Sequence, residues 1–225
     1  MNRYYALFTK SLRKASVNRA AATRQLLIDE GRRAFGAKGH DGVSLQRDVL
    51  DPSGVSNGSF YHQFSDKTDL LVAVLEDASE RGRDALMTAR PAPSSGSLSD
   101  HIEGQLDTWF GVVDADLDLF RIMLREHASQ DPRVREGVRS IRQRWSEALA
   151  IEIAQLAPAT ATGLDADVAA GFVVALVVGL LPDYIDAPPR RRRARRRELV
   201  TSLTPFLLGG LAALGGISTP APTSG

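Results

Sequence analysis

Apolar residues recur along most of this chain at the spacing of an α-helix, and no hairpin dipeptide sits between alternating apolar runs. Leu27, Ile28, Gly31, Ala34 and Phe35 fall on one helical face, as do Leu70, Leu71, Val74, Leu75 and Ala78 after the N-capping pair Ser65 and Asp66. β-Branched residues cluster only in Val168–Val178. The expected fold class is all-α, with about nine helices.

The same reading places amphipathic helices over Ile102–Val113 and Leu117–Glu126 and a long helix over Arg133–Leu156, opened by Asp131-Pro132. Asp165 and Asp167 cap an apolar helix over 166–181, and Ala194–Leu214 supplies the last one. Breaks fall at Pro91–Ser97, Asp114–Asp116, Ala157–Gly163 and Pro182–Pro189. The apolar run Val168–Leu181 is 14 residues long and stops at Pro182. A membrane span needs about 20 residues, so a buried helix and no membrane contact are expected. Residues 1–20 lack the apolar core of a secretory signal, and a cytoplasmic location is expected.

With no cysteine among 225 residues, disulfide frameworks, thiolate metal sites and cysteine nucleophiles are excluded. There is no glycine-rich phosphate loop, metal-binding His-Glu motif or nucleophile elbow. No catalytic residue, metal site or cofactor is therefore expected. His101 and His127, near Asp107 and Glu126, lack the spacing of a metal motif. The net charge is only +1, but residues 1–50 carry ten Lys/Arg against four acidic residues. A basic segment of that kind suits phosphate contact or simply a solvated helix.

The informative stretch is Gly54-Val-Ser-Asn-Gly-Ser-Phe-Tyr-His-Gln-Phe-Ser-Asp-Lys67. Gly54 suits the positive φ of a tight inter-helix turn, and Ser56 is a natural N-cap. A short helix from Asn57 puts Phe60 and Phe64 one turn apart, facing inward. Gly58, Ser59 and His62 then face outward, flanked by Tyr61 and Gln63. That outer face is uncharged, short and rich in hydrogen-bonding groups, and Gly58 allows close backbone approach. A recognition helix in a DNA major groove needs these features. A preceding helix over Ser44–Leu50 and the turn Asp51–Val55 complete a helix-turn-helix. Taken singly, Phe60, Tyr61 and Phe64 suit the core of any helical bundle, and His62 and Lys67 suit a solvated surface.

Residues 23–71 resemble the tetracycline-repressor (TetR) family of helix-turn-helix transcription regulators. The resemblance rests on Leu27-Ile28, Ala34-Phe35, Gly39, Ser44, Gly54-Val55-Ser56, Gly58, Phe60-Tyr61-His62, Phe64, Lys67 and Leu70-Leu71. It implies that Ser44 caps the second helix and reaches a phosphate. It likewise implies that Asn57, Gly58 and Ser59 lie at the base edges, with Ser56 counted among the DNA-binding residues, that Tyr61 and His62 meet phosphate or bases, and that Lys67 binds a phosphate. Leu50, Pro52 and Ser53 depart from the family pattern, and Pro52 disfavours helical geometry at Asp51.

The implied organisation is a basic N-terminal arm over 1–20, a DNA-binding domain over 21–66, a ligand-binding and dimerisation domain over 67–214 and a disordered tail over 215–225. A pocket lined by Trp109, Phe110, Phe120, Met123, His127, Trp145 and Phe172 suits an apolar or amphipathic effector, although each of these side chains also suits a plain core. The helix 166–181, apolar around most of its circumference, is expected to join 198–214 in a two-fold homodimer interface. The implied function is a repressor that binds a palindromic operator in double-stranded DNA and is released by a small-molecule effector. A polybasic peripheral-membrane or scaffolding protein is the alternative. The run Arg190–Arg193 and Arg195–Arg197 stands ahead of a helix, where the dipole disfavours cations, and is expected to be a mobile, solvated loop.

Overall fold

The computed structural model describes residues 3–89, 97–156 and 165–215, and the regular structure among them is entirely helical. Helix α1 spans Arg3–Gly42, so from Arg3 onward the stretch expected as an N-terminal arm is its first part. The expected tail over 215–225 lies, beyond Gly215, outside the described residues. Then follow α2 (Gln46–Leu50 continued by Asp51–Ser53), α3 (Asn57–Gln63) and α4 (Lys67–Ala89). The larger half contains α5 (Leu98–Ala115), α6 (Leu117–Glu126), α7 (Pro132–Leu156), α8 (Ala166–Ile185) and α9 (Pro189–Gly215).

The break expected at Pro52 takes a specific form. Gln46–Leu50 is a π-helical turn, in which the Asp51 N–H bonds back to the Gln46 carbonyl five residues away. In an α-helix the Pro52 ring would collide with the Asp48 carbonyl. Widening the preceding turn relieves that clash, and the chain closes with one α turn before Gly54 reverses it at φ 65°.

One continuous core runs through both halves. Leu27 and Phe35 of α1, Leu50 of α2 and Phe60 of α3 are buried with Leu70, Leu71 and Leu75 of α4. Farther along, the same core takes in Phe110, Phe120, Ile122, Ile141 and Tyr184. Complete burial of such side chains is worth about 1.5–3 kcal/mol each. Gly31 belongs here because a Cβ at that position would come within 3.1 Å of the Leu70 side chain.

Helix α8 differs from expectation in two ways. It continues through Pro182 to Ile185, because Leu181, Tyr184 and Ile185 are all buried and their packing outweighs the lost backbone bond. It is also not buried all round. Its inner face meets α7 through Ala150, Ile153, Ala169 and Ala170. Val168 and Phe172, on the outer face, are 52% and 70% exposed. By length and composition the helix is also apolar enough to cross a membrane.

The arginine run is likewise no loop. Helix α9 starts at Pro189, five residues earlier than expected, and carries all seven arginines. Carboxylates of α5 offset the unfavourable helix dipole. Arg192 Nε donates to Asp114 Oδ1 at 2.9 Å, and Arg196 Nε to Asp107 Oδ1 at 2.6 Å. Arg195 pairs within the helix with Glu198 at 2.7 Å. Asp114 Oδ2 also accepts from Arg196 Nη1 at 3.4 Å and from the buried Tyr184 hydroxyl at 3.0 Å.

Candidate nucleic-acid interface

Helix α3 is short because its sequence allows nothing longer. Ser56 caps it, accepting the Ser59 N–H at 3.2 Å and donating to the Ser59 hydroxyl at 3.0 Å. Phe64, in extended conformation, ends it. Phe60 is fully buried and Phe64 is 2% exposed, their ring centroids 5.6 Å apart, so two aromatic anchors fix the rotation of the helix. The guanidinium of Arg24 sits over the Phe64 ring at 4.6 Å.

With the aromatics inward, Ser56, Asn57, Gly58, Ser59, Tyr61 and His62 are all exposed. A Cβ built on Gly58 meets nothing within 4 Å, so the absence of a side chain there is not demanded by packing inside the chain. Tyr61 is 61% exposed and stands edge-on to Phe60. These five consecutive or near-consecutive positions, 57–59, 61 and 62, form one polar, uncharged outer face.

Two predicted contact residues are engaged within the chain. The Asn57 amide donates to Gln46 Oε1 at 3.0 Å, and Gln46 in turn donates to Asp51 Oδ1 at 2.5 Å, so the Gln46 side chain bridges α2 and α3. The Lys67 ammonium donates to the Val43 carbonyl at 3.1 Å, tying the start of α4 to the entry of α2. Ser44 caps through its backbone: its N–H donates to Asp48 Oδ2 at 2.8 Å.

Asp48 and its partners are a feature the sequence reading missed. Its carboxylate accepts from Arg47 at 2.9 Å and Lys38 at 2.6 Å as well as from Ser44. The Arg47 and Lys38 hydrogen bonds, with the Ser44 N–H, hold it well below the usual carboxylate range. The only sequence signal was that Asp48 is one of four acids among the ten bases of the first fifty residues. At the other end of the turn Asp66 accepts the Asp69 N–H at 2.7 Å, and Asp66 and Asp131 both hold Arg133 at 3.2 Å. The loop before α7 is thereby fixed to the start of α4.

The second site lies between α6, α7 and α8. An open cleft of about 200 Å³ is walled by Phe120 and Met123 of α6, by His127 just after it, by Arg142 and Trp145 of α7, and by Leu181 of α8. The structure brings Phe120, Met123, His127 and Trp145 together there, with Phe120 stacked on Trp145 at 5.5 Å. The other three suggested lining residues lie elsewhere. Trp109 packs edge-on to Phe110 and Phe120, and Phe110 is buried against Tyr184 at 4.9 Å. Phe172 faces outward on α8, with no part in the cleft. His101 bonds Glu152 at 2.8 Å, and His127 Nδ1 bonds the Leu124 carbonyl at 2.8 Å, so the two histidines serve separate places. Among the described residues no group of three or more potential metal ligands forms.

Helix α6 links the cleft to α1. Arg125 donates to the Gly36 carbonyl at 3.3 Å, and Glu126 accepts the His40 N–H at 2.7 Å. Beneath them Gly36 leaves room for α6: a Cβ there would lie 2.6 Å from the Asp118 Cβ.

Two family models match the chain. Residues 27–74 match the model described as bacterial regulatory proteins, tetR family, and residues 98–208 the model of the tetracyclin repressor-like C-terminal domain. An HTH-type transcriptional regulator of Haemophilus influenzae is 30% identical over 105 residues, 46% of this chain and 50% of that protein. An HTH-type transcriptional repressor of Mycobacterium tuberculosis is 34% identical over 68 residues, 30% of this chain and 36% of that protein. The chain thus spans half or less of the length of these curated relatives. The crystal structure of a transcriptional regulator from Rhodococcus sp. Rha1 superposes with a TM-score of 0.67 at 18% identity, covering 88% of this chain and 99% of that one. At that identity the likeness speaks for the fold.

Proposed function

The chain belongs to the tetR family of bacterial regulatory proteins, a family of DNA-binding regulators and not of enzymes, and on that premise we propose that it is a homodimeric transcription repressor released from its operator by a small amphipathic effector. The observation that carries the DNA-binding part is the outer face of α3. Gly58 stands in open space between exposed Asn57 and Ser59, above two buried aromatics that set its orientation. A backbone position bare of side chain and free of internal packing duties suits close approach to base edges.

Homodimerisation is supported by the exposed apolar faces of α8 and α9. Phe172 and Phe206 are 70% and 65% exposed, and each is accompanied by small residues, Gly171 and Ala175 on α8, Gly209 and Gly210 on α9. Large aromatics beside flat positions suit a second copy of the same surface. Two recognition helices carried on one dimer would read the half-sites of a palindrome about one helical turn apart, or multiples of it. The ion pairs of Arg192, Arg195 and Arg196 engage three of the seven charges of the run with carboxylates of the chain itself, which leaves a polybasic membrane anchor the other four.

Effector control is supported by the path from the cleft. Phe120 and Met123 line it from α6, and the last turn of α6 holds α1 through Arg125 and Glu126. A ligand that binds one position of α6 better than another shifts the population of DNA-binding heads.

The test is fluorescence anisotropy of the protein on its own upstream DNA and on a scrambled duplex, across a salt series. Preference for the native fragment at physiological salt is expected. Equal, weak binding to both that collapses with added salt would reduce the interaction to phosphate contact and overturn the reading.

A further inference from the structure

We infer that the cleft between α6, α7 and α8 takes an apolar molecule bearing a single anionic headgroup, such as a carboxylate. The inference rests on the effector reading above and names the chemical class of the ligand.

The walls are carbon. Trp145, Leu124 and Val178 give partly exposed apolar surface over a floor of buried Phe120, Met123 and Leu181, with Phe120 stacked on Trp145. Only two lining side chains carry charge or a titratable group, Arg142 and His127, and no acidic residue lines the cleft. A ligand there meets a low-polarity body and a cationic edge.

Arg142 is the distinguishing feature. Most arginines of α7 and its flanks are engaged: Arg133 with Asp66 and Asp131, Arg135 with the carbonyls of Ser129 and Gln130, Arg139 with Glu136, and Arg144 with the Ser79 hydroxyl. Arg142, exposed at the rim of the cleft one turn from Trp145, has no hydrogen bond or ion pair among the described residues. A guanidinium stays charged throughout the physiological range and binds carboxylate or phosphate oxygens through two parallel N–H groups. Placed at the mouth of an apolar cleft, it selects molecules whose charge is negative and whose remainder is hydrocarbon. It disfavours cationic amphiphiles by direct repulsion.

The test uses the full chain and four named probes: 4-phenylbutyrate, octanoate and the primary amides of each. Binding is read by isothermal titration and by quenching of tryptophan fluorescence, Trp145 being in the wall. At least one acid is expected to bind about tenfold or more tightly than its amide, the scale of a charge-assisted hydrogen bond. Arg142→Gln is expected to erase that preference while leaving amide binding and the melting temperature unchanged. Equal affinities for acids and amides, no binding of either acid, or an undiminished preference in R142Q would each overturn the inference. Operator binding separates this from the effector reading. Acids that bind without changing operator affinity would sink effector control and leave the ligand class standing. Neutral amphiphiles that bind in preference and release the operator would do the reverse.

Discussion

Arg32 Nη1 donates to Asp116 Oδ2 at 3.1 Å, joining the middle of α1 to the turn between α5 and α6. Its Nη2 donates at 2.7 Å to Asp77 of α4, so one guanidinium ties three elements. The Arg32 side chain is only 14% exposed, and burial pushes both aspartates above the usual carboxylate range. The pair is thus a poorly hydrated junction that depends on its cation.

Replacing Arg32 with Gln leaves the part-buried Asp116 carboxylate without a counter-charge and leaves Asp77 with Arg81 alone. A loss of about 3 kcal/mol of unfolding free energy is expected, measured by urea titration at neutral pH. Because the folded pKa values are raised, the folded state takes up protons first as pH falls. The deficit of the variant should therefore shrink toward the usual aspartate pKa of about 3.9 and return as pH rises through the raised values. A deficit that is flat with pH would show that the carboxylates are not its cause.

Asp48 titrates in the opposite sense. Its depressed pKa means that its contribution is complete above the usual carboxylate range and is lost as pH falls through and below about 3.9. Asp48→Asn should flatten part of the acid limb of the stability curve. The remainder belongs to Asp66 and Asp131, which are lowered by the Asp69 N–H and by Arg133. Thermal melts of both proteins between pH 3 and pH 7 provide the check, and identical acid limbs would refute it.

Gly58→Ala separates DNA reading from folding. The added methyl meets nothing inside the chain, and alanine is the better helix former by about 0.5–1 kcal/mol. The variant should melt no lower than the parent and bind operator about tenfold more weakly, a cost of about 1.4 kcal/mol. Undiminished operator affinity would place the close approach elsewhere.

Phe172→Glu puts a charge on the outer face of α8 without touching the core, since the ring is already 70% exposed. Dimer affinity should fall about thirtyfold or more, the scale of an aromatic hot spot, with helix content unchanged. Sedimentation velocity decides it; an unaltered dimer would move the interface off this face.

How legible the molecule is from its sequence depends on how far apart its partners lie. Phe60 and Phe64 are four residues apart, and the helical period alone puts both inward. Ser56 lies three residues before Ser59, and its capping role follows from that spacing. Arg192 and Arg196 were misread as solvated, because local dipole reasoning cannot see Asp114 and Asp107, which stand 78 and 89 residues away. Lys67 is a similar case, its ammonium held by the Val43 carbonyl from an earlier turn. Phe172 shows the limit of composition. An aromatic ring in an apolar run has no intrinsic inside, and only the packing of Ala169 and Ala170 on α7 turned it outward. At Pro52 the sequence located the disturbance, while its form, a widened turn, came from the need to keep Val49 and Leu50 buried on either side of the clash.

The missing side chain at Gly36 has a mechanical consequence. With the Asp118 side chain where a Cβ would otherwise sit, α1 and α6 are in close contact at Gly36. Arg32 at one end of this seam and Glu126 at the other oppose their separation. Gly39, at φ 71°, interrupts the helical geometry of α1 one residue before His40. A shift of α6 would therefore be handed to α1 next to this bend, which is the route that the proposed effector control requires.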